Sequence, residues 1–313
     1  MIKTQIIKID DISRSLDDLK RAGELLAAGK LVVIPTETVY GLGADALNPQ
    51  AVAKIFEAKG RPQDNPLIVH ISEIGDLDKL CQDIPDGAYR LAQRFWPGPL
   101  TMILKKKDIV PSIVSAGLDT VAVRMPSDPV ARKIIEYSGT AIAAPSANLS
   151  GIPSPTCAEH VIRDMTGRVD MIVDAGECAI GVESTVISLA GDVPTVLRPG
   201  AVTPDDLRAA IGEVKIDPAV FGQLEQGRKA ASPGMKYKHY SPKARVIMLV
   251  GDSSSYSKYV NERAGEGVYA LCYNEAQPLL RVPCLCYGDS SEEQARMLFA
   301  CLRKLDDLGA KTV

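Results

Sequence analysis

Four stretches of the chain share one pattern, in which an apolar, β-prone run stops at a proline and carries hydroxyl, amide or cationic side chains at its tip. They span residues 31–38, 121–126, 141–148 and 195–200. Ligands of α/β folds bind in crevices at strand ends, so four polar-tipped strands predict one rim that forms a binding site. Two of the tips carry Arg124 and Arg198, and the pattern therefore favours a polyanionic ligand.

Strand-like and helix-like patterns alternate between Ile12 and Ile211, which predicts an α/β layer architecture. Asn48 and Pro49 open an amphipathic helix over residues 48–59 that ends at a glycine. Further helices are predicted over residues 86–96, 128–137, 158–165 and 203–211, and further strands over residues 67–71, 100–104, 171–173 and 185–189.

The chain has 313 residues, more than one core usually supports, so two domains are expected. We predict a larger domain over residues 1–212 and a small α/β domain over residues 243–313. Between them, residues 213–242 lose the periodicity and accumulate Gly, Pro, Gln and Lys, as linkers do. The small domain is predicted to contain strands over residues 244–250 and 267–272, a helix over residues 291–308 and a further strand that begins at Thr312.

The composition narrows the choice of partners and compartment. The net charge is -3 and the pI is near 5.8, so an anionic partner must be attracted by a local cluster of cations rather than by the whole surface. The seven cysteines include no Cys-x-x-Cys pair, which predicts reduced thiols without zinc or redox chemistry. No signal peptide and no run of ~20 apolar residues is present, so we expect a cytoplasmic protein without a membrane partner.

Two cations flank a glycine directly after the first predicted helix. Lys59 and Arg61 surround Gly60, so the backbone can turn and both charged groups can face one ligand. A lysine in the last turn of a helix also complements the helix dipole, and a structural role for Lys59 is the alternative. Asn65 and His70 bracket the next strand with further polar groups, which favours the binding role.

Arg124 and Arg198 each leave an apolar strand at its proline-marked end. A buried guanidinium needs an anionic partner to offset its desolvation, and either an Asp or Glu side chain or a ligand can provide one. Together with Lys59 and Arg61, two such arginines suit a triphosphate better than four separate carboxylates.

Residues 143–151 are rich in small side chains, which let a ligand approach the backbone while Ser146 and Asn148 offer hydrogen bonds. The glycine-containing segment 36–43 fails the dinucleotide-binding fingerprint, and no Walker loop is present. The chain has three histidines and no nucleophile motif. Chemistry that depends on positioning and charge stabilisation, such as nucleotidyl transfer with Mg²⁺, is therefore favoured.

At these motifs the chain resembles the YrdC-type threonylcarbamoyl-AMP synthase family in its long, two-domain form. The resemblance covers about Ile12 to Ile211 and rests on residues 35–43, 59–62, 65–67, 146–148 and 197–200. Residues 232–242 also resemble the linker that long-form members close over the active site. The family implies a twisted, open mixed sheet with helices and a smaller Rossmann-like α/β domain. Long-form members continue through another strand and helix, so we expect this second domain to be incomplete or shortened.

The resemblance also implies a reaction. L-threonine and bicarbonate form a carbamate whose carboxylate attacks the α-phosphorus of ATP, giving threonylcarbamoyl-AMP and pyrophosphate, with Mg²⁺ accompanying ATP. The product passes to the tRNA-modifying threonylcarbamoyl transferase machinery, which acts on the adenosine beside the anticodon. No protein ligand of the metal is predicted.

The same resemblance assigns two sets of site residues. The ATP-binding set is Lys59, Arg61, Asn65, Thr120, Ser146, Asn148, Ser154, Arg198 and Tyr237, with Lys59 and Arg61 as the catalytic cations. The threonine-binding set is Thr38, His70, Arg124, Ala144 and Ser184. Within it, the Arg124 guanidinium suits the amino-acid carboxylate because the two groups pair bidentately.

Two other functions stay open. An RNA-binding module fits the cationic rim, although aromatic residues are only 5% of the chain and are not interleaved with the basic motifs, as base stacking requires. A carbamoyl-adenylate-forming enzyme that uses carbamoyl phosphate is the second. RNA binding that depends on salt and occurs without ATP turnover would identify the RNA-binding module. A requirement for carbamoyl phosphate rather than threonine and bicarbonate would identify the carbamoyl-adenylate-forming enzyme.

Overall fold

The structure is a computed structural model that describes residues 2–222 and 241–313. Its strands are β1 (Gln5–Lys8), β2 (Val32–Ile34), β3 (Gly41–Asp45), β4 (Ile68–His70), β5 (Leu100–Lys105), β6 (Thr120–Arg124), β7 (Ile142–Ala143), β8 (Met171–Asp174), β9 (Thr185–Ser188), β10 (Thr195–Arg198), β11 (Lys215–Ile216), β12 (Ala270–Cys272) and β13 (Cys284–Cys286). Its helices are α1 (Leu16–Ala27), α2 (Pro49–Lys59), α3 (Asp76–Leu80), α4 (Asp86–Phe95), α5 (Ser112–Ser115), α6 (Pro129–Ser138), α7 (Ala158–Met165), α8 (Pro204–Ile211), α9 (Ser253–Asn261) and α10 (Ser291–Asp307).

The ends of α2 follow from local chemistry. The Asn48 side chain caps the first turn, in which Pro49 needs no N–H partner. At the other end Gly60 takes the left-handed conformation with φ of 59°, which glycine adopts without steric cost. The helix predicted over residues 48–59 is confirmed. The other predicted helices are likewise confirmed as α4, α6, α7, α8 and α10.

Eleven strands form one mixed sheet in the order β1-β8-β2-β3-β7-β4-β6-β5-β9-β10-β11. β3 runs antiparallel to both β2 and β7, and β4 runs antiparallel to β7 but parallel to β6. β5 is antiparallel to β6 and parallel to β9, which is antiparallel to β10. As a result, β2 and β7 point one way along the sheet, and β6 and β10 point the other way.

The strand directions correct the prediction that the four polar-tipped strands form one rim. The four segments belong to β2, β6, β7 and β10. Because β2 and β7 run opposite to β6 and β10, the carboxyl ends of the two pairs lie on opposite sides of the sheet and cannot share one rim. The sequence could not show this, because strand direction is decided by the long-range pairing.

The two faces of the sheet are covered differently, because successive residues of a strand point to opposite sides. Val33, Val69 and Val123 belong to the main core, which also contains apolar residues of α2, α3, α4, α5, α7 and α8. On the other face, Val32 and Ile142 pack in a second cluster with residues of α1 and α6. Farther along this second face, β4, β5, β6, β9 and β10 carry a small separate cluster.

β3 was not predicted because two of its residues are glycines, which weaken strand patterns. The packing around β3 explains why one of these two residues, Gly43, is a glycine. A Cβ atom on Gly43 would lie 3.0 Å from the carbonyl oxygen of Val32 and 3.1 Å from the Ile142 side chain. Glycine therefore lets β2, β3 and the neighbouring side chains come close together.

The described part of the small domain contains parallel pairs. β12 pairs with β13, and Thr312 forms isolated parallel bridges to both Arg245 and Val268. The strand predicted to begin at Thr312 is therefore present only as these bridges and not as a regular strand. The predicted strand over residues 244–250 is wrong. Its backbone hydrogen bonds to residues 311–313 end at Ile247, so the paired segment is too short to form a regular strand.

The large sheet continues into the segment that the sequence assigns to the linker. β11 pairs in parallel with β10, so the sheet reaches Ile216, four residues beyond the predicted boundary at residue 212. Most of the remaining predicted linker falls on residues 223–240, outside the described residues. The domain boundaries stay predictions.

Candidate active site

A cavity of about 280 Å³ lies on the second face of the sheet, next to the cluster formed with α1 and α6. Its lining residues are Thr36, Thr38, Val39, Gly41, Lys59, Arg61, Pro62, Ile68, His70, Arg124, Ala144, Pro145, Ser146, Asn148, Ser150, Gly151, Ile152, Glu183, Ser184 and Arg198. All four polar-tipped segments contribute side chains to it. They meet on the face of the sheet rather than at its rim.

Lys59 reaches the cavity from the last turn of α2 and is buried. Its Nζ donates to the carbonyl oxygens of Ser146 and Asn148, and lies 3.5 Å from the Asn148 Oδ1. Burial, followed by repulsion from Arg61, holds the pKa of Lys59 well below its usual range, while Asp164 and Glu183 oppose the shift. The carbonyl oxygens orient the amine, and an anionic ligand would favour its charged form.

Arg61 follows the glycine and lines the same part of the cavity. Its Nη2 lies 3.4 Å from the carbonyl oxygens of Asn65 and Pro66. The Asn65 side chain is buried, and neither its Oδ1 nor its Nδ2 has a hydrogen-bond partner within the described residues. Such an amide is costly unless something else satisfies it.

Arg124 forms a buried ion pair. Its Nη2 lies 2.7 Å from Oε1 of Glu37, and both side chains are less than 10% exposed. Its Nη1 donates to Thr38 Oγ1 at 2.9 Å, and its Nε lies 3.3 Å from the Gly98 carbonyl oxygen. Burial alone would raise the pKa of Glu37, but the charge and hydrogen bonding of Arg124 outweigh it and lower that pKa. The sequence allowed either an acidic side chain or a ligand as the anionic partner of Arg124, and the structure shows an acidic side chain, Glu37. Arg124 also lines the cavity.

The Thr38 hydroxyl is fixed by its neighbours. Thr36 donates its only hydroxyl hydrogen to the Val39 carbonyl oxygen at 2.6 Å, so in the 3.0 Å contact between Thr36 and Thr38 the donor is Thr38. Thr38 Oγ1 also accepts from Arg124. One lone pair of Thr38 Oγ1 is left, and it can accept a hydrogen bond from a ligand.

His70 lies beside Arg124 in the register of β4 and β6. Burial, and then the charge of Arg124, lower the pKa of His70 to about 3. Its Nδ1 has no hydrogen-bond partner within the described residues. The imidazole is therefore neutral at physiological pH, and its Nδ1 can form one hydrogen bond with a polar ligand.

Ser184 and Arg198 also line the cavity and form hydrogen bonds with each other. Arg198 donates from Nε to the Ser184 carbonyl oxygen at 2.9 Å and from Nη2 to Ser184 Oγ at 3.0 Å. Ser184 Oγ also contacts Thr101 Oγ1 at 2.7 Å, and Thr101 pairs with Arg124 across β5 and β6. Arg198 thus reaches Thr101 through the Ser184 hydroxyl, and Thr101 is the neighbour of Arg124 across the strand pair.

The loop after β7 is shaped by the Asn148 side chain, whose Nδ2 donates to the carbonyl oxygens of Leu149 and Ile152 at 2.8 and 2.9 Å. Asn148 thus holds the backbone that the Lys59 amine binds. Ser154 lies deeper in the same loop, fully buried, and its hydroxyl contacts Glu183 Oε1. Glu183 lines the cavity and was not among the predicted residues.

Most predicted site residues meet in this cavity. Those that line it are Thr38, Lys59, Arg61, His70, Arg124, Ala144, Ser146, Asn148, Ser184 and Arg198. Asn65 and Ser154 contact lining residues without lining the cavity themselves, and Thr120 stands at the start of β6, four residues from Arg124. Tyr237 lies outside the described residues. The roles given to these residues stay predictions.

Glu37 and Thr101 were missed for different reasons. Glu37 lies between Thr36 and Thr38 in a segment already singled out, so its carboxylate was a visible candidate partner for a buried arginine. Thr101 carried no signal, because it joins the site through long-range contacts, namely its hydroxyl contact with Ser184 and the pairing of β5 with β6.

Helix α10 of the small domain packs behind the cavity. Phe299 and Leu302 form a cluster with Val39, a lining residue. Arg303 is buried, donates to the Pro153 carbonyl oxygen from Nε at 3.0 Å and Nη2 at 2.6 Å, and pairs with Asp164 at 2.7 Å. α10 thereby contacts two of the loops that shape the cavity.

Comparison with known proteins identifies the family. Residues 24–200 match the model described as "Telomere recombination", and residues 202–313 match the model described as "Threonylcarbamoyl-AMP synthase, C-terminal domain". The threonylcarbamoyl-AMP synthase of Pyrococcus abyssi is 47% identical over 303 residues, which cover 94% of this chain and 87% of that protein. The chain belongs to the threonylcarbamoyl-AMP synthase family.

Other members of the threonylcarbamoyl-AMP synthase family agree with this assignment. The enzyme of Bacillus subtilis is 50% identical over 254 residues, which cover 81% of this chain and 72% of that protein. The crystal structure of P. abyssi Sua5 complexed with L-threonine has a TM-score of 0.87 at 44% identity, covering 100% of this chain and 91% of that one. The predicted fold class and the resemblance to the long, two-domain form are confirmed.

None of the helices in the described ranges combines the length and apolar composition that crossing a bilayer requires.

Proposed function

We infer that the chain is a threonylcarbamoyl-AMP synthase, a nucleotidyltransferase that joins L-threonine, bicarbonate and the AMP part of ATP for tRNA modification. The observation that carries this inference is the convergence of Lys59, Arg61, Arg124 and Arg198 on one cavity. Four cations around one space suit a ligand with several negative charges, and ATP together with an amino-acid carboxylate supplies them.

Lys59 and Arg61 are the groups that we assign to the phosphates. The carbamate oxygen forms a bond to the α-phosphorus while the bond to the departing pyrophosphate breaks, so negative charge shifts onto phosphate oxygens. Fixed cations stabilise such charge because they need no rearrangement during the step. Lys59 is held by two backbone carbonyls and Arg61 by contacts to two more, which fixes both before a ligand arrives.

We assign the threonine to the neighbouring wall. Arg124 has five N–H groups, of which three contact Gly98, Thr38 and Glu37; the remaining two can bind the substrate carboxylate. Thr38 has one free acceptor lone pair for the substrate N–H. His70 is neutral, and its Nδ1 can form one hydrogen bond with the hydroxyl group of the substrate.

The residues also fit Mg²⁺ that arrives with ATP, which would neutralise part of the phosphate charge. Magnesium sites at nucleotides use one or two carboxylates together with the phosphates. Among the lining residues that the structure describes, Glu183 is the one carboxylate, because Glu37 lies behind Arg124 in an ion pair. Glu183 is therefore the residue that would hold the metal.

The relatives favour this function over the alternatives. The matched proteins of P. abyssi and B. subtilis are named threonylcarbamoyl-AMP synthases, and P. abyssi Sua5 was crystallised with L-threonine. A pure RNA-binding module needs no buried pocket of this kind. We further propose that the protein works in the cytoplasm and passes its product to the threonylcarbamoyl transferase machinery.

Pyrophosphate release from ATP with Mg²⁺ tests the function. We expect release only when both L-threonine and bicarbonate are present. Release that needs carbamoyl phosphate instead would identify the other adenylate-forming enzyme, and RNA binding without pyrophosphate release would identify the RNA-binding module.

The variant Arg124→Lys tests the assignment of Arg124 to threonine. It keeps a charge beside Glu37 but loses the planar pair of N–H donors. The KM for threonine should therefore rise roughly tenfold or more, while the KM for ATP changes less.

A further inference from the structure

The small domain contains a cluster of three thiols that the proposed reaction does not use. β12 and β13 lie in parallel register, with Ala270 opposite Cys284 and Cys272 opposite Cys286. Alternate residues of a strand share a face, so Cys272, Cys284 and Cys286 lie on the same side of this pair. Leu271 and Leu285 lie on the other side, in the cluster that includes Leu305 of α10.

The three sulfur atoms are close enough to share one ligand. All of them lie within 4.8 Å of one another, and the Sγ atoms of Cys272 and Cys286 are 3.9 Å apart. Three thiolates at about 2.3 Å from one ion are about 4 Å apart. Only small side-chain adjustments are needed to reach that geometry.

The donor atoms of the cluster determine which class of metal ion it can bind. It contains sulfur donors only, without histidine or carboxylate, and pure thiolate sets prefer soft ions such as Zn²⁺ and Cu⁺ over Mg²⁺ and Ca²⁺. Cys272 is buried, whereas Cys284 and Cys286 are half-buried, so an ion can approach from the side of β13. Of the residues that the structure describes, no other group of histidine, cysteine and acidic side chains is gathered closely enough to hold a metal.

We propose that Cys272, Cys284 and Cys286 bind one soft metal ion of the Zn²⁺ or Cu⁺ class. Each cysteine gives up its thiol proton and forms a metal–sulfur bond, so up to three protons are released for each ion bound. The ion ties β12 to β13. Two-stranded pairs are weak by themselves and small domains commonly depend on such cross-links, so the metal stabilises the small domain.

The full-length chain, reduced and freed of metal by a chelator under anaerobic conditions, provides the test. Zn²⁺, Co²⁺ as its spectroscopic substitute, and Cu⁺ held by a competing chelator are titrated separately. We expect one ion per chain, thiolate-to-cobalt charge-transfer absorption with Co²⁺, and a midpoint of thermal unfolding that rises by several degrees. The ion that the protein removes more readily from its chelator, Zn²⁺ or Cu⁺, is the one that the site prefers.

Matched cysteine variants locate the site. Cys284→Ser combined with Cys286→Ser should weaken binding at least tenfold, whereas Cys157→Ser, in the larger domain, should bind as the unaltered chain does. In the unaltered chain, bound metal should slow alkylation of Cys272, Cys284 and Cys286 but not of Cys157, and this measurement needs no variant to fold. Absence of micromolar binding by the reduced chain, unchanged binding in the double variant, or alkylation that metal does not slow would each overturn the proposal.

Discussion

At the scale of single residues, the cavity holds its charges in fixed positions through neutral or oppositely charged partners. Lys59 is bound by backbone carbonyls, and Arg124 is paired with Glu37. Both side chains are less than 5% exposed. Buried polar and charged groups without partners are costly, so these contacts keep both side chains in place until anionic ligands enter.

Replacing Lys59 tests its assigned role. Lys59→Met keeps the length of the side chain but removes the charge, so the turnover number for pyrophosphate release should fall by roughly 10- to 1000-fold. Lys54→Met is the matched control, because Lys54 lies on the same helix and donates to the Gly29 carbonyl oxygen at 2.7 Å without lining the cavity. Equal turnover numbers for Lys59→Met and Lys54→Met would show that Lys59 has only a structural role.

The buried His70 predicts a loss of stability in acid. Its pKa is about 3 in the folded chain and 6.5 in its ordinary state, so below pH 6.5 the unfolded chain binds the proton that the folded chain does not. The stabilising contribution is complete above pH 6.5 and is lost as the pH falls toward 3. Between pH 7 and pH 5.5 this group alone should lower the free energy of unfolding by roughly 1 kcal/mol.

Urea denaturation at several pH values measures this effect in the unaltered chain and in His70→Gln. The variant should lose that part of the pH dependence. His160 contributes in the same direction, because burial lowers its pKa to about 4, so the difference between the two chains is the informative quantity. Identical slopes would mean that the pKa of His70 is the same in the folded and the unfolded chain.

At the scale of elements, the end of α2 places two cations at the cavity. Gly60 ends the helix in the left-handed conformation, so Lys59 belongs to the last turn and Arg61 to the loop. An alanine Cβ at Gly60 would meet no atom within 4 Å. The requirement for glycine there is therefore conformational rather than steric.

Gly60→Ala separates stability from function. It should lower the free energy of unfolding by about 1 kcal/mol, because non-glycine residues resist this backbone conformation. Gly139→Ala is the control: it ends α6 with φ of 65°, also without a close neighbour, and should cost the same. We expect only Gly60→Ala to raise the KM for ATP, and equal KM values would show that the turn does not position Lys59 and Arg61.

At the scale of the whole molecule, the small domain supports the cavity through α10. Arg303 and Asp164 form a buried pair between α10 and α7, and Arg303 also binds the backbone at Pro153. Next to Pro153, Ile152 lines the cavity. The shape of this wall thus depends on contacts between the two parts of the chain.

Arg303→Met should lower the free energy of unfolding by about 3 kcal/mol, since it leaves the Asp164 carboxylate buried without its partner. It should also raise the KM for ATP. Arg163→Met is the control, because Arg163 joins the same helices through Asp307 at 2.8 Å but both side chains are about half exposed, and it should cost less than 1 kcal/mol. Denaturation and steady-state kinetics measure both effects, and similar results for the two variants would contradict a supporting role for α10.

The sequence was sufficient for the parts of this protein that depend on near neighbours. α2 is an example, because Asn48, Pro49 and Gly60 mark its ends locally. The motifs that carry Lys59, Arg61, Arg124, Ser146 and Arg198 were likewise visible, and the resemblance that they carry led to the family.

Only the tertiary structure decided what these residues contact. Strand direction moved the site from a rim of the sheet to its face, the pairing of β4, β5 and β6 brought His70 and Thr101 beside Arg124, and the register of β12 and β13 gathered three cysteines. The physical reason is the same in each case. Local propensity depends on neighbours along the chain, whereas strand order, direction and register depend on contacts between distant segments that a linear pattern does not record.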